Sequence, residues 1–158
     1  MLNAVCQVGK GFPQLRRTVK SALLLALLLT GCSTVPVTLN EAKDAPPANV
    51  LGKVQVASSQ PAKLTIIRDK SALGGSVVSF YVLVNGVQVV RLSTGEKYTL
   101  PVEPGEVFLS VRSDAIGATN KPLQIETTFK PAKSYVYRVG NDSNWLLNLQ
   151  RDLDLSDK

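Results

Sequence analysis

A two-residue alternation of apolar and polar side chains governs the chain from Lys63 onward. Between Leu123 and Phe129 the odd positions carry Leu, Ile, Thr and Phe, and the even positions carry Gln, Glu and Thr. Successive side chains of a strand point to opposite faces of a sheet, so this period is typical of half-buried β-strands. It predicts strands at Leu64–Arg68, Val78–Val84, Val87–Leu92, Lys97–Pro101, Val107–Arg112, Leu123–Phe129, Ser134–Val139 and Trp145–Leu149.

Turn sequences separate these runs at short intervals. Asn85-Gly86 joins two β-branched runs, and this pair favours a type I′ hairpin because both central residues need a positive φ. Pro104-Gly105 provides the fixed φ and the glycine that a β-turn prefers. The short, regularly spaced strands predict an all-β fold, an antiparallel β-sandwich of about seven strands. A small barrel is the alternative, which the unequal strand lengths disfavour.

The Asn85-Gly86 hairpin also predicts a cross-strand register. Counting outward from the turn pairs Val84 with Val87, Val82 with Val89 and Phe80 with Arg91. The other face of the hairpin then carries Tyr81, Leu83, Val90 and Leu92. If one face of this strand pair were solvated, about half of its side chains would be polar. We therefore expect this second face either to be covered within the monomer or to meet a partner.

The N-terminal region has the layout of an export signal. Its basic residues precede an apolar run from Ala22 to Leu29, and no acidic residue occurs before Glu41. A helix of about eight residues spans about 12 Å, whereas a membrane-crossing helix needs about 20 residues. The run therefore predicts the core of a cleaved signal rather than a permanent span.

Leu29, Thr30, Gly31 and Cys32 follow an aliphatic, small, small, cysteine pattern. This pattern resembles the bacterial lipobox, and the resemblance implies cleavage before Cys32 and diacylation of that cysteine. The residue after this cysteine is the sorting position of such lipoproteins. Ser33 resembles the residue found there in outer-membrane lipoproteins, whereas an aspartate would favour the inner membrane. The resemblance therefore predicts a protein anchored in the bacterial outer membrane by its acyl chains, with its domain in the periplasm. Retention in the inner membrane is the less favoured alternative.

Composition narrows the chemistry that the domain can perform. Four of the 18 basic residues precede Cys32 and all 12 acidic residues follow it, so residues 32–158 carry a net charge of +2. Nucleic-acid binding requires a more strongly clustered basic face. Residues 33–158 contain no cysteine and the chain contains no histidine, which removes disulfides, the commonest general base and the commonest zinc ligand. We predict no enzyme activity, no cofactor, no metal and no nucleic-acid partner.

The sequence divides into four parts. Residues 1–31 are the predicted lipoprotein signal peptide, residues 32–62 the lipidated cysteine and a flexible tether, residues 63–150 the β-sandwich domain and residues 151–158 an acidic tail. The tether is predicted because prolines and small polar residues there keep neither a helical nor a strand period. A short strand at Val50–Val56 is the alternative within it.

Two tyrosines are candidates for ligand stacking. Tyr135 and Tyr137 fall on one face of their predicted strand, where aromatic rings could stack on a sugar. The competing interpretation, which we favour, is core packing with the two hydroxyl groups at the rim.

Several stretches together resemble an uncharacterised family of Gram-negative lipoprotein domains. They are Leu64–Arg68, Tyr81–Gly86, Lys97–Leu100, Pro104-Gly105 and Ser134–Val139. The resemblance covers roughly residues 60–150 and implies a small immunoglobulin- or transthyretin-like sandwich, similar to PEGA-type modules, without catalytic residues.

These observations favour a non-catalytic, lipid-anchored envelope protein whose domain is a binding module, with an envelope protein or peptidoglycan as its partner. A structural or assembly subunit of an envelope complex, docking through the hairpin face, is the alternative. A hydrolase of unrecognised type is a third interpretation, for which the sequence shows no convergent cluster of reactive side chains.

Overall fold

Extended segments dominate the fold because the alternating runs pair as strands. The computed structural model describes residues 34–71, 78–114, 122–141 and 146–156. These ranges hold a short 3₁₀ helix at Pro47–Asn49 and a series of strands. In chain order the strands are β1 (Thr34–Val35), β2 (Lys43–Asp44), β3 (Ala62–Arg68), β4 (Lys70–Ser71), β5 (Phe80–Val84), β6 (Val87–Leu92), β7 (Glu96–Val102), β8 (Gly105–Ser113), β9 (Leu123–Phe129), β10 (Ser134–Asn141) and β11 (Leu147–Arg151).

The strands form three sheets, whereas the sequence predicted a single antiparallel sandwich. β1 pairs with β4, a five-stranded sheet has the order β11-β10-β3-β7-β2, and a four-stranded sheet has the order β6-β5-β8-β9. Most pairs are antiparallel, but β10 with β3 and β2 with β7 are parallel. The all-β prediction is confirmed. The purely antiparallel arrangement was wrong because periodicity does not report which distant strands become neighbours.

The β5–β6 hairpin turns through Asn85 and Gly86, as predicted. Their φ values are 49° and 79°, in the left-handed region that a type I′ turn requires. Val84 lies opposite Val87, which confirms the predicted pair next to the turn.

A β-bulge in β6 shifts the hairpin register beyond Leu83. Val89 is the extra residue, and the pairs that follow are Val82 with Val90, Tyr81 with Arg91 and Phe80 with Leu92. The predicted pairs Val82–Val89 and Phe80–Arg91 were therefore wrong. A bulge adds one residue to one strand, and the uniform valines of β6 give no signal of where it occurs.

The two larger sheets share one apolar core. In β5 the residues Phe80, Val82 and Val84 are buried, whereas the residues between them are half-buried. Leu64, Ile66 and several other side chains of the five-stranded sheet belong to the same buried cluster. Full burial of an aliphatic or aromatic side chain contributes about 1.5–3 kcal/mol, so this shared core is the main source of stability in a domain without disulfides.

Residues 34–45 pack on the five-stranded sheet instead of forming a free tether. Val37 and Ala42 are buried with Ile67 and Val136 in a second apolar cluster, and β2 pairs with β7 at the edge of the sheet. The tether prediction was wrong for this segment because the sheet carries apolar side chains on both faces. The chain covers the second face along an irregular path, which has no period to detect.

Further along the predicted tether, the chain runs beside β6. Val50 forms a bridge with β6, and the N–H groups of Leu51 and Gly52 donate to the Val89 oxygen at 2.9 and 3.5 Å. A Cβ at Gly52 would lie 2.7 Å from the Gln88 oxygen, so glycine permits this close approach. The segment covers the outer edge of β6 without forming the short strand considered there.

The C-terminal turn also packs on the sheet, where the sequence predicted a solvated acidic tail. The Asp152 N–H donates to the Val136 oxygen at 2.8 Å, and the Val136 N–H donates to Ser156 Oγ at 3.0 Å. Leu155 packs against the second cluster. The tail prediction was wrong for residues 152–156 because their polar groups find partners on β10.

Arg138 on β10 connects the two ends of the described chain. Its Nη1 donates to Asp69 Oδ1 at 2.7 Å and to the Val37 oxygen at 2.9 Å, and its Nε donates to Asp152 Oδ2 at 2.7 Å. The three charged side chains are 15%, 11% and 14% exposed. Burial alone would lower the pKa of Arg138, but its bonds to Asp152 and Asp69 outweigh burial and raise it.

Candidate functional site

The candidate site is the outer face, by which we mean the side of the four-stranded sheet that points away from the shared core. Alternation along β5, β8 and β9 places the intervening residues of each strand on this side. Its residues are Tyr81, Leu83, Gln88, Arg91, Glu106, Phe108, Ser110, Arg112, Gln124, Glu126 and Thr128.

The middle of the outer face is a row across three strands. Leu83 lies opposite Ser110, and Ser110 lies opposite Gln124. Ser110 Oγ donates to Gln124 Oε1 at 3.2 Å, and the serine is buried although it points outward. Phe108, in the same strand, is 39% exposed. The middle of the outer face therefore combines two apolar side chains, Leu83 and Phe108, with the hydrogen-bonded pair of Ser110 and Gln124.

One end of the outer face carries a cation over an aromatic ring. The Arg112 guanidinium lies 4.8 Å from the centre of the Tyr81 ring, and its Nη2 donates to Gln88 Oε1 at 2.6 Å. A contact of this kind contributes about 0.5–1 kcal/mol at an exposed site. It holds the Tyr81 ring in place on the sheet.

The other end of the outer face is acidic. Glu106 lies opposite Thr128 and Phe108 lies opposite Glu126, which makes the two glutamates diagonal neighbours on one face. A hydrogen bond with Glu106 raises the pKa of Glu126, and repulsion between the two carboxylates raises it further. A shallow depression beside them is lined by Asn85, Gly86, Glu106, Phe108 and Gln124.

The structure separates the four residues predicted as an interaction face. Tyr81 and Leu83 are half-buried on the outer face, but Val90 and Leu92 are fully buried in the shared core. The prediction was wrong for the second pair because the bulge at Val89 moves the rest of β6 by one residue. A one-residue shift turns every following side chain to the opposite face.

The two candidate stacking tyrosines belong to the shared core. Tyr135 and Tyr137 are each 2% exposed, and the Tyr135 ring stacks on Phe129 with centres 4.4 Å apart. The Tyr137 hydroxyl lies 2.8 Å from Thr127 Oγ1, and the Tyr135 hydroxyl accepts the Lys130 N–H at 2.8 Å. Core packing is confirmed, and stacking on a ligand was wrong because both rings are enclosed.

The predicted lipobox, Leu29, Thr30, Gly31 and Cys32, lies outside the described residues, and so does Trp145. Within the ranges that are described, no helix is long and apolar enough to cross a membrane. In the same ranges no three His, Cys, Asp or Glu side chains converge as metal ligands would. No protein-family model matches the chain, and no curated protein matches its sequence.

Sequence reasoning did not select Phe108, Arg112 or the glutamate pair for this site. The signal that could have found Phe108 is Val107-Phe108-Leu109, since three successive apolar residues in a strand must place one on the second face. The approach of Glu106 to Glu126 has no local signal, because it depends on the register between β8 and β9.

Proposed function

We propose that this chain is a non-catalytic binding module of the bacterial envelope, anchored in the outer membrane through acyl chains on Cys32, with its domain in the periplasm. The two larger sheets are, in this proposal, the layers of an immunoglobulin- or transthyretin-like sandwich. The observation that carries the binding role is the outer face, where Tyr81, Leu83 and Phe108 stand on one sheet surface and keep part of their area exposed.

The composition of the outer face supports binding by contact. An exposed surface with apolar side chains and a polar rim is typical of interaction sites. Here the apolar residues stand between Arg112 at one end and Glu106 with Glu126 at the other. This charge difference would orient a partner along the strands.

The position of β1 sets the height of the domain above the membrane in this proposal. β1 begins at Thr34, two residues after the cysteine proposed to carry the acyl chains. Two extended residues span at most about 7 Å, whereas a flexible chain of about 30 residues has an average span of about 30 Å. The domain would therefore stand directly beside the lipid headgroups.

The same geometry orients the domain. β1 pairs with β4, which follows the end of β3. The last residue of β3, Arg68, lies over the ring of Phe80 at the start of β5, so the Asn85-Gly86 turn is at the opposite end of β5. The acidic end of the outer face, beside that turn, would point away from the membrane.

Replacing Cys32 with serine tests the anchor. In the parent chain we expect a processed protein that stays with the membrane fraction until detergent is added. Cys32→Ser should leave an unprocessed precursor or a protein released from the membrane, because serine offers no thiol for acylation. Cell fractionation and the mass of the N-terminal peptide measure both results.

The matched control is Cys6→Ser, which lies outside the lipobox and should behave like the parent chain. A Cys32→Ser chain that is trimmed and membrane-bound like the parent would contradict the lipoprotein assignment.

An assembly subunit is the second candidate function, and the exposed ring of Phe108 is the observation that favours it. Phe108→Ser should dissociate a complex that docks on the outer face while changing the free energy of unfolding by less than about 1 kcal/mol, because the ring is outside the core and serine adds no charge opposite Glu126. Native electrophoresis of the detergent extract and thermal unfolding measure the two effects. The neighbouring Leu109→Asp is the contrast, since it places a charge in the core and should unfold the domain.

A complex that survives Phe108→Ser unchanged, or a parent chain that runs as a monomer, would contradict the assembly role.

A further inference from the structure

The edges of the two larger sheets differ in how they are protected. β2 has two residues and β11 has five, and the edge of β6 is covered by the N–H groups of Leu51 and Gly52. β9 is the remaining terminal strand, with seven residues, and it pairs on one side with β8. Among the described residues no further strand pairs with the other side of β9, and an unpaired edge of this length is a template for pairing with another chain.

The backbone groups that face the free edge of β9 can be identified. The Asn85 N–H donates to the Phe108 oxygen, and the Phe108 N–H donates to Asn85 Oδ1, both at 2.9 Å. Phe108 therefore directs its backbone groups toward β5, away from its partner Glu126 on β9. In such a pair the opposite residue also points its backbone groups away. The N–H and C=O of Glu126, and by alternation those of Gln124 and Thr128, face outward.

β9 lacks three of the features that commonly block a sheet edge, although it carries the charged Glu126. Natural edges carry proline, lysine or a bulge, but the sequence from Leu123 to Phe129 contains neither residue type and its register with β8 is continuous. Pro122 precedes the strand and has no N–H, and the Lys130 N–H is bonded to the Tyr135 hydroxyl. The open stretch is therefore limited to the strand itself.

The charge beside this edge selects among possible occupants. Glu106 and Glu126 share the face next to the free backbone groups. A second copy of this chain, pairing antiparallel through β9, would bring four carboxylates close together, and like charges on facing strands destabilise a sheet. A lysine or arginine on an incoming strand would instead pair with both glutamates.

We propose that the free edge of β9 binds an extended segment of a partner protein by strand addition, with a basic side chain of that segment placed against Glu106 and Glu126. Main-chain hydrogen bonds to Gln124, Glu126 and Thr128 supply affinity, and the glutamate pair supplies selectivity. The proposal rests on the proposed role as a binding module, and it specifies the chemistry of the partner.

Amide hydrogen exchange of the full chain tests the starting geometry. The N–H groups of Gln124, Glu126 and Thr128 should exchange at least about tenfold faster than those of Ile125 and Thr127, which bond to β8. Equal protection of both sets would overturn the assignment. Protection of the first set that increases with protein concentration would identify a second copy as the occupant, and would also overturn the proposal.

A peptide probe then tests selectivity. The probe is a synthetic peptide of about nine residues in which lysine alternates with valine, and its matched control replaces every lysine with glutamate. The lysine peptide should slow exchange at Gln124, Glu126 and Thr128 by about tenfold at a concentration where the control has no effect. Absence of protection by the lysine peptide, or equal protection by both peptides, would overturn the proposal.

Two variants separate edge pairing from charge. Thr128→Pro removes an outward N–H without removing a bond to β8, so it should abolish protection by the lysine peptide, whereas Thr128→Val should not. Glu126→Lys leaves the backbone intact and should weaken binding of the lysine peptide by at least about fivefold. The Glu126→Lys variant therefore still tests the proposal if the proline variant does not fold. Lysine-peptide binding unchanged in Glu126→Lys would overturn the charge assignment.

These measurements are independent of the anchor. Suppose that the Cys32→Ser variant is released from the membrane fraction but neither peptide protects the β9 edge. The proposed envelope location would then stand, and only strand addition would be contradicted.

Discussion

Arg68 is the residue at which burial and charge conflict most directly. It is 2% exposed, and its guanidinium lies 4.1 Å from the centre of the Phe80 ring. Its Nη1 donates to the oxygens of Val78 and Leu92. Burial lowers the pKa of Arg68 to about 10, although nearby carboxylates act in the opposite direction. The strand pattern gave no reason to expect a buried charge at this position.

We expect Arg68 to make stability depend on pH in the alkaline range. Its pKa of about 10 in the folded chain lies below the ordinary value of an arginine, so the unfolded chain holds the proton more tightly. The penalty of the buried charge is complete below about pH 10, and the stability contributed by this group rises as the pH increases above about 10. Urea unfolding of the parent and of Arg68→Met should be measured at about pH 9 and about pH 11. The free energy of unfolding of the parent should rise relative to that of the variant between these two pH values.

If the difference in free energy of unfolding between the two proteins stays constant over this pH range, the lowered pKa of Arg68 would be contradicted. The comparison with Arg68→Met is necessary because tyrosines and lysines titrate in the same range.

Individual elements were predicted well where their signal is local. β6 and β9 have the bounds expected from alternation, and the two-residue turn has the φ values expected from Asn85-Gly86. The bulge was not predictable, since Val89 and Val90 are identical side chains and either could be the extra residue. The consequence was large, because the residues beyond the bulge exchanged the outer face for the core.

Gly86→Ala tests the turn at the level of this element. A Cβ at Gly86 would meet no atom within 4 Å, so the cost comes from the φ of 79° alone. Holding an L-residue in this region costs about 1–2 kcal/mol, and the free energy of unfolding should fall by that amount in urea titrations. Gly86→Asn should cost less, because asparagine tolerates the left-handed region. An alanine variant as stable as the parent would contradict a type I′ turn.

At the scale of the domain, both ends of the described chain pack on the five-stranded sheet. Val37 and Leu155 come from opposite ends of the described chain and belong to the same apolar cluster. Arg138 bonds to groups from both segments. The two ends therefore stabilise the domain together, although composition predicted a tether at one and a solvated tail at the other.

Truncation after Arg151 tests this arrangement. It removes Asp152 from Arg138 and uncovers the second cluster, so the free energy of unfolding should fall by about 2–4 kcal/mol, somewhat less than the loss of a fully buried pair. Chemical denaturation measures the change. Asp154→Asn, at an exposed position in the same turn, is the control and should change stability by less than about 0.5 kcal/mol. A truncated chain as stable as the parent would mean that the turn contributes nothing.

The candidate site was predictable only in part. Tyr81 and Leu83 were expected on an apolar second face and lie there, because alternation within one strand depends on local geometry. Phe108 and the pair Glu106–Glu126 joined them through the pairing of β5, β8 and β9. Strands distant in sequence contribute to one surface only after folding, so no single segment carried that information.

The sequence by itself determined the all-β class, the position of most strands and the main hairpin turn, because period and turn chemistry act over a few residues. Tertiary structure decided the parallel neighbours of β3 and β7, the bulge in β6, the packing of both ends of the described chain and the terminal position of β9 in its sheet. These features depend on which distant surfaces meet. Local patterns are compatible with several arrangements of the strands, and the burial of apolar area and the pairing of polar groups select one of them.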